Sequence, residues 1–186
     1  MNNLLLLDSG AYSVWNVGGV VDLDRYIQFC KDHPGVSYYV SLDVIIGKKG
    51  DDRTKRADAV EASCQESWSN YQKMISVLPI EKVIPVFHRG ENFKWLEKYL
   101  KFGCPYIGFG QIGTGGGEGQ GHYLDQIRKF VCGADGRPVV KTHGFAVTAY
   151  ELMLSFPWHS VDSASWIRAG SYCDVYFPAV KDGEFK

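Results

Sequence analysis

The chain has 186 residues, enough for one domain with its own core, and at 45% hydrophobic and 22% charged it is too apolar for a disordered polymer. Twenty basic and 21 acidic side chains leave a net charge of -1, which excludes a global field that pulls the protein toward nucleic acid or an anionic membrane. Any polyanion contact has to be local.

The first apolar run, Leu4 to Leu7, is too short for a signal peptide or a membrane span and predicts a buried strand. It runs into Asp8-Ser9-Gly10-Ala11-Tyr12, which puts a carboxylate, a hydroxyl, a glycine and a ring on one tight turn. Asp8 can exchange a proton, Gly10 lets a backbone approach closely and Tyr12 can stack on a flat ligand. The plainer alternative for Asp8 is a cap at a helix start. Asp22 to Lys31 carries Leu23, Tyr26, Ile27 and Cys30 at helical spacing behind an early acid.

A second strand is predicted over Tyr38 to Ile46, and within it Asp43 follows a strongly apolar run. A buried carboxylate there needs a strong partner. An amidine-like edge, as on guanine, supplies two parallel donors; capping the next loop is the alternative. The basic stretch Lys48, Lys49, Arg53, Lys55 and Arg56 reads as a solvated loop or else a phosphate contact. Ala57 to Leu78 is the longest helical stretch, and Lys82 to Phe87 is a strand leading to His88 and Arg89.

Glu91 to Phe102 repeats the helical period with Phe93, Leu96 and Leu100, and Tyr106 to Phe109 is a strand that opens on Gly110 and Gln111. The Gly-rich run Gly113 to Gly121 lacks the Lys and Ser or Thr of a P-loop, so it is a flexible loop or a mobile lid. Tyr123 to Val131 is a helix, and Val139 to Thr142 is a strand ending at His143 and Gly144. Thr148 to Phe156 is a helix with Thr148 and Glu151 spaced as a capping box. His159 to Val161 leads to Asp162 among small hydroxyls, with Trp166 and Arg168 beyond, and Val175 to Phe177 is a seventh strand. Arg89 and Arg168 are candidate phosphate ligands. The five cysteines lie far apart with no C-x-x-C pair and read as reduced thiols in a cytosolic protein.

Strands alternating with helices predict α/β architecture around a parallel sheet. Asp8, Asp43, His88, Gly110, His143 and Asp162 all fall at the ends of strands, where the active sites of (β/α) barrels collect. The expected fold is therefore a single-domain TIM-type (β/α) barrel over residues 1–186, minimal or incomplete, with an eighth unit that is missing, degenerate or lent by a partner or second copy. Asp162 is the candidate nucleophile at a sugar anomeric carbon and Asp8 the acid and base beside it. His88 and His143 are candidate ligand contacts or structural histidines.

Taken in order, these motifs resemble the tRNA-guanine transglycosylase superfamily, most of all its phage branch, the DpdA-type proteins that place 7-deazaguanines into DNA. Asp8 to Tyr12 is similar to the family's Asp-Ser-Gly-Gly-Phe/Tyr signature, Leu42-Asp43 to its base-reading strand end, Tyr106 to Gly110 to its Gly-Gly turn, and Gly117 to Gln120 to the Gly-Glu-Gly-Gln that follows. His143 to Phe145 and Ser160 to Ser163 resemble the phage branch, with Asp162 where the family keeps its nucleophile. The resemblance implies exchange of guanine in a nucleic acid for a free 7-deazaguanine. Asp162 and Asp8 would be catalytic, and Ser9, Gly10, Tyr12, Asp43, His88, Phe109, Gly110, Gln111, His143 and Gly144 would line the base site.

His88-Arg89 replaces the Gln-Gly-Ser of the tRNA enzymes, and their zinc site has no counterpart in the sequence. No metal or other cofactor is expected, no membrane partner either, and DNA is favoured over tRNA as substrate. An N-glycoside hydrolase and a non-catalytic nucleobase-binding or nucleic-acid-binding subunit are the rival readings.

Overall fold

Apolar residues recurring every three or four positions give each helix one buried stripe. In the computed structural model, which describes residues 4–45, 57–112, 118–172, 180–181 and 184–185, that stripe on helix α3 (Ala57–Ile75) is Val60, Cys64, Trp68, Tyr71 and Met74. Helices α2 (Leu23–Asp32), α4 (Phe93–Phe102) and α5 (Glu118–Val131) bury Tyr26, Ile27 and Cys30, then Trp95, Leu96 and Tyr99, then Tyr123, Leu124 and Ile127. The side chains merge into one hydrophobic core. Each fully buried Leu, Ile or Phe in it stabilises the fold by roughly 1.5–3 kcal/mol relative to exposure.

Local chemistry sets the helix starts. Asp22 caps α2 by accepting from the Arg25 N–H at 3.0 Å, and Asn92 caps α4 by accepting from Lys94 N–H at 3.0 Å. Gly103 ends α4 in the left-handed region at φ 87°, as a C-terminal glycine does. The capping box expected at Thr148 does not form: α6 (Tyr150–Ser155) starts behind Ala149, with no side-chain cap. A short helix α1 (Ala11–Asn16) follows the tight turn, in line with the helix start weighed for Asp8, and Gly10 at φ 72° starts it directly after the first strand.

The strands are β1 (Leu6–Leu7), β2 (Tyr38–Val40), β3 (Val83–Ile84), β4 (Val86–His88), β5 (Tyr106–Gly110), β6 (Lys141–Gly144) and β7 (Ser160–Val161). Their pairs are all parallel, in the orders β1-β2-β3 and β4-β5-β6-β7. β3 and β4 are halves of one predicted strand, divided at Pro85. Proline has no N–H to give a ladder, and its carbonyl accepts from Gly108 N–H at 2.8 Å, so the chain pairs with β2 before Pro85 and with β5 after it. Among the described residues, strands consecutive in sequence are thus neighbours within each ladder, with no reversal of order of the doubly wound kind.

Several strands differ from their predicted spans. The first is not the buried strand expected over Leu4 to Leu7: Leu4 and Leu5 are exposed, and only the half-buried Leu6 and Leu7 pair, with β2. β7 starts at Ser160 rather than His159. β2 ends at Val40, because the following segment is tied to α3 instead: Ser67 Oγ accepts from Val44 N–H at 2.8 Å and Asn70 Nδ2 donates to the Leu42 carbonyl at 3.0 Å. β6 begins two residues later than Val139, since Val139 N–H is taken by the Val131 carbonyl at 2.8 Å. The predicted strand at 175–177, the basic stretch and the first half of the Gly-rich run lie outside the described residues.

The sheet curls enough for β2 to meet β6. Lys141 Nζ donates to Tyr38 Oη at 3.2 Å, and the Tyr38 and Tyr106 rings meet edge to face at 5.0 Å. Among the described residues β1 and β7 share no ladder, and no closed barrel is formed. The chain is α/β with parallel sheets and seven α-helices among the described residues; β8 (Val180–Lys181) and β9 (Glu184–Phe185) form a small antiparallel pair. No described helix is long and apolar enough to cross a membrane.

Candidate active site

Parallel strands in one order put all their C-terminal ends on one edge. Asp8, Asp43, His88, Gly110 and Asp162 stand there, as their positions in the sequence suggest, whereas His143, expected just past its strand, lies inside β6, which runs on to Gly144. Register then decides which side chains face inward. Val86, Gly108, His143 and Ser160 align across four strands, and the next row, Phe87, Phe109, Gly144 and Val161, faces the other way. Phe109 is accordingly fully buried against Phe87 and Trp158, and its ring is not among the groups at the strand-end cluster.

The first group is centred on His88. Its Nε2 lies 3.1 Å from Oδ2 of Asp43 and its Nδ1 lies 3.1 Å from Oε1 of Glu91, with all three side chains 8–11% exposed. Burial alone pushes the imidazole down, but the two carboxylates outweigh it and raise the pKa to about 9. Gly110 leaves room for this ring: a Cβ there would meet His88 Cδ2 at 2.5 Å and Nε2 at 2.9 Å.

The second group is centred on His143, which is 3% exposed. Its Nδ1 lies 2.6 Å from Ser160 Oγ, which in turn lies 2.5 Å from Tyr106 Oη. Its Nε2 is 3.4 Å from Oδ1 of Asp162, long for a hydrogen bond, and has no other partner among the described residues. Asp162 Oδ1 also accepts from Ala146 N–H at 2.8 Å; Ala146 adopts φ 55°, unusual for a residue with a side chain. Burial opposes ionisation of Asp162, yet His143 and the Ala146 N–H prevail, and its pKa is lowered.

Asp8 is pushed the opposite way. Burial of its carboxylate, with the charges of Asp43 and Asp162, raises its pKa against the Ser9 and Gly10 N–H groups that oppose the shift. Asp8, Tyr38, Tyr106, His143, Phe145 and Asp162 line one cavity of about 380 Å³, within the size range of ligand sites. A larger cavity of about 610 Å³ lies at the opposite ends of the strands, around Pro105, Val139, Lys141 and Pro157, and holds no carboxylate.

The other expected contacts are placed unevenly. Ser9 Oγ accepts from Ala11 N–H at 3.3 Å, so it serves the turn. Gly10 begins α1, and Tyr12 is 60% exposed, leaning on Trp15 at 5.8 Å. Gln111 is half-buried in the left-handed region at φ 59°. A Cβ on Gly144 would meet Val147 Cγ2 at 2.7 Å. Arg89 follows β4, and Arg168 lies in α7 (Ser165–Tyr172).

Glu91, Tyr106 and Ser160 were not singled out from the sequence as site residues. The spacing His88-Arg-Gly-Glu91, three residues across a turn, is the one local signal that pairs a strand-end histidine with an acid. Among the described residues no group of three or more His, Cys, Asp and Glu side chains is arranged to hold a metal ion. In comparisons with known proteins, no family model and no curated protein matches the chain.

Proposed function

We propose that this chain is a base-exchange transglycosylase of the guanine type, built on an incomplete TIM-type (β/α) barrel, which replaces guanine in a nucleic acid with a 7-deazaguanine. One observation carries the reading: two carboxylates on the same cavity are driven apart, Asp162 toward the ionised form and Asp8 toward the protonated form. Environments that separate a carboxylate pair in this way assign the nucleophile and the proton donor.

Asp162 attacks C1′ of the target nucleoside as the carboxylate, and the bond from C1′ to the base nitrogen breaks. Asp8 gives its proton to the departing guanine and is left ionised. An incoming 7-deazaguanine loses its ring N–H proton to Asp8, attacks C1′ and displaces Asp162. Two inversions restore the starting configuration, and no water is consumed. Asp43 and the Gly110 backbone read the base, with Tyr12 as a stacking surface. In duplex DNA, the favoured polymer, the nucleotide has to be flipped out at a cost of a few kcal/mol.

Denaturing electrophoresis after mixing protein, oligonucleotide and guanine is expected to reveal a covalent adduct. The same adduct from Asp162→Asn protein would overturn the assignment. Labelled guanine offered with double-stranded DNA, single-stranded DNA and tRNA separates the polymers. N-glycoside hydrolysis is the second reading, favoured by the 57% exposure of the Asp162 side chain to water. Abasic product formed without any added base would select it.

A further inference from the structure

A neutral imidazole carries one N–H, so it can donate to one carboxylate while turning a lone pair toward another. His88 faces a carboxylate at each nitrogen, both at 3.1 Å, and only the imidazolium satisfies both. Both donors are then spent, and His88 has no N–H left for a ligand. Glu91 is held in place by the turn: its N–H donates to the His88 carbonyl at 3.2 Å, and Asn92 starts α4 directly after it. The missing Cβ at Gly110 leaves the ring the space it fills.

We infer that Glu91 is a positioning residue for the base site: it holds His88 as a doubly donating cation, which fixes the orientation of Asp43, while His88 itself does not read the ligand. This rests on the transglycosylase reading and extends it to selectivity. With Oδ2 held 3.1 Å from the ring, Asp43 keeps Oδ1 as its acceptor for a base. Among the described residues, the two carboxylates and one imidazolium carry a net negative charge, which favours a neutral base with N–H donors on its edge. It disfavours one that presents only acceptors there.

The titratable and charged groups around the ring are Asp43 with Asp8 beside it, then Glu91. Tyr99 on α4 and Tyr123 on α5 both feel the charge of Glu91, and Arg89 lies near Tyr123. The phenols are held protonated, chiefly by burial, and leave the two carboxylates as His88's counter-charges.

The test follows the His88 ring by nitrogen NMR in the full chain, alongside equilibrium binding of guanine and of hypoxanthine, which lacks the exocyclic amine. Wild-type protein is expected to keep both ring nitrogens protonated at neutral pH. In Glu91→Gln the titration midpoint should fall by about one pH unit or more, and guanine binding should weaken by about tenfold, the scale of one charge-assisted hydrogen bond. Its preference over hypoxanthine should shrink too. Glu91→Asp keeps the charge one methylene back, should show smaller shifts in the same direction, and decides the matter if Glu91→Gln does not fold. An unchanged midpoint, or unchanged guanine binding beside a lowered midpoint, overturns the role. Guanine binding that depends on Glu91 without any base exchange would leave the positioning role standing and sink only the transglycosylase reading. Wild-type protein that binds no guanine would sink both.

Discussion

Replacing Ser160 by alanine removes one hydroxyl and strands two buried partners, His143 Nδ1 at 2.6 Å and Tyr106 Oη at 2.5 Å. Hydrogen counting shows what the serine does. An ionised Asp162 facing His143 Nε2 at 3.4 Å requires a proton on that nitrogen. In the neutral ring Nδ1 is then an acceptor, so Ser160 donates to it and receives from Tyr106. An orphaned buried polar group costs about 1–3 kcal/mol. His143 is 3% exposed and stands near the upper end; Tyr106 borders the cavity, where water can replace its partner, and stands near the lower. Ser160→Ala should therefore lose about 2–4 kcal/mol in urea unfolding, Tyr106→Phe about 1 kcal/mol, and the double variant less than the sum. The acid limb of any exchange activity should move upward in pH as the imidazole loses its tautomer. A Ser160→Ala protein within about 0.5 kcal/mol of wild type, the range of a plain surface substitution, would refute the relay.

Exchange rate should follow a bell in pH, its acid limb set by Asp162 below the ordinary carboxylate range and its alkaline limb by the raised Asp8, and Asp8→Asn should reduce exchange by a hundredfold or more in a labelled-guanine assay, about the scale of general acid–base catalysis. His88 stabilises the fold because its folded pKa of about 9 exceeds the unfolded 6.5; that stabilisation is complete below pH 6.5 and is lost as pH rises through about 9, so the urea midpoint should decline across this window in wild type and stay flatter in His88→Gln. Gly110→Ala forces a Cβ to within 2.5 Å of the His88 ring and should cost about 1–3 kcal/mol while lowering guanine affinity, as calorimetry can measure. Leu96→Ala, in the fully buried core face of α4, should cost about 2–5 kcal/mol yet leave the pH profile of exchange unchanged, as urea unfolding and pH-rate measurements can check.

Asp43 and His88 were legible because a short apolar run followed by a polar residue marks the place where a buried strand leaves the core; Asp8 and Asp162 follow strands that are only half-buried, and His143 lies within β6 rather than past its end. Helix faces were legible for the same reason: Tyr26, Leu96 and Ile127 recur with their neighbours at helical period. What joins the site was not. Tyr106 and Ser160 meet across 54 residues through strand register, and no local pattern encodes a register. The inward or outward sense of Phe109 also depends on that register, and a run of residues buried on both faces has no alternation to reveal it. The break at Pro85 could be suspected from a proline inside a strand, but its result, one chain segment serving two ladders, depends on where Gly108 lies.

That break has a consequence for how the molecule opens. The ladder of β1, β2 and β3 and the ladder of β4 to β7 share no strand-to-strand backbone pairing and are joined in the chain at a residue without an amide hydrogen, so they are natural cooperative units for sub-global unfolding. Asp8 and Asp43 belong to the first unit; His88, His143 and Asp162 belong to the second. In native-state hydrogen exchange the amides of Tyr39 and Val40 should share one opening free energy and those of Ile107 and Phe109 another. The contact between His88 and Asp43 then ties one foldon to the other, and separating the two parts the aspartates of the first from the histidines of the second.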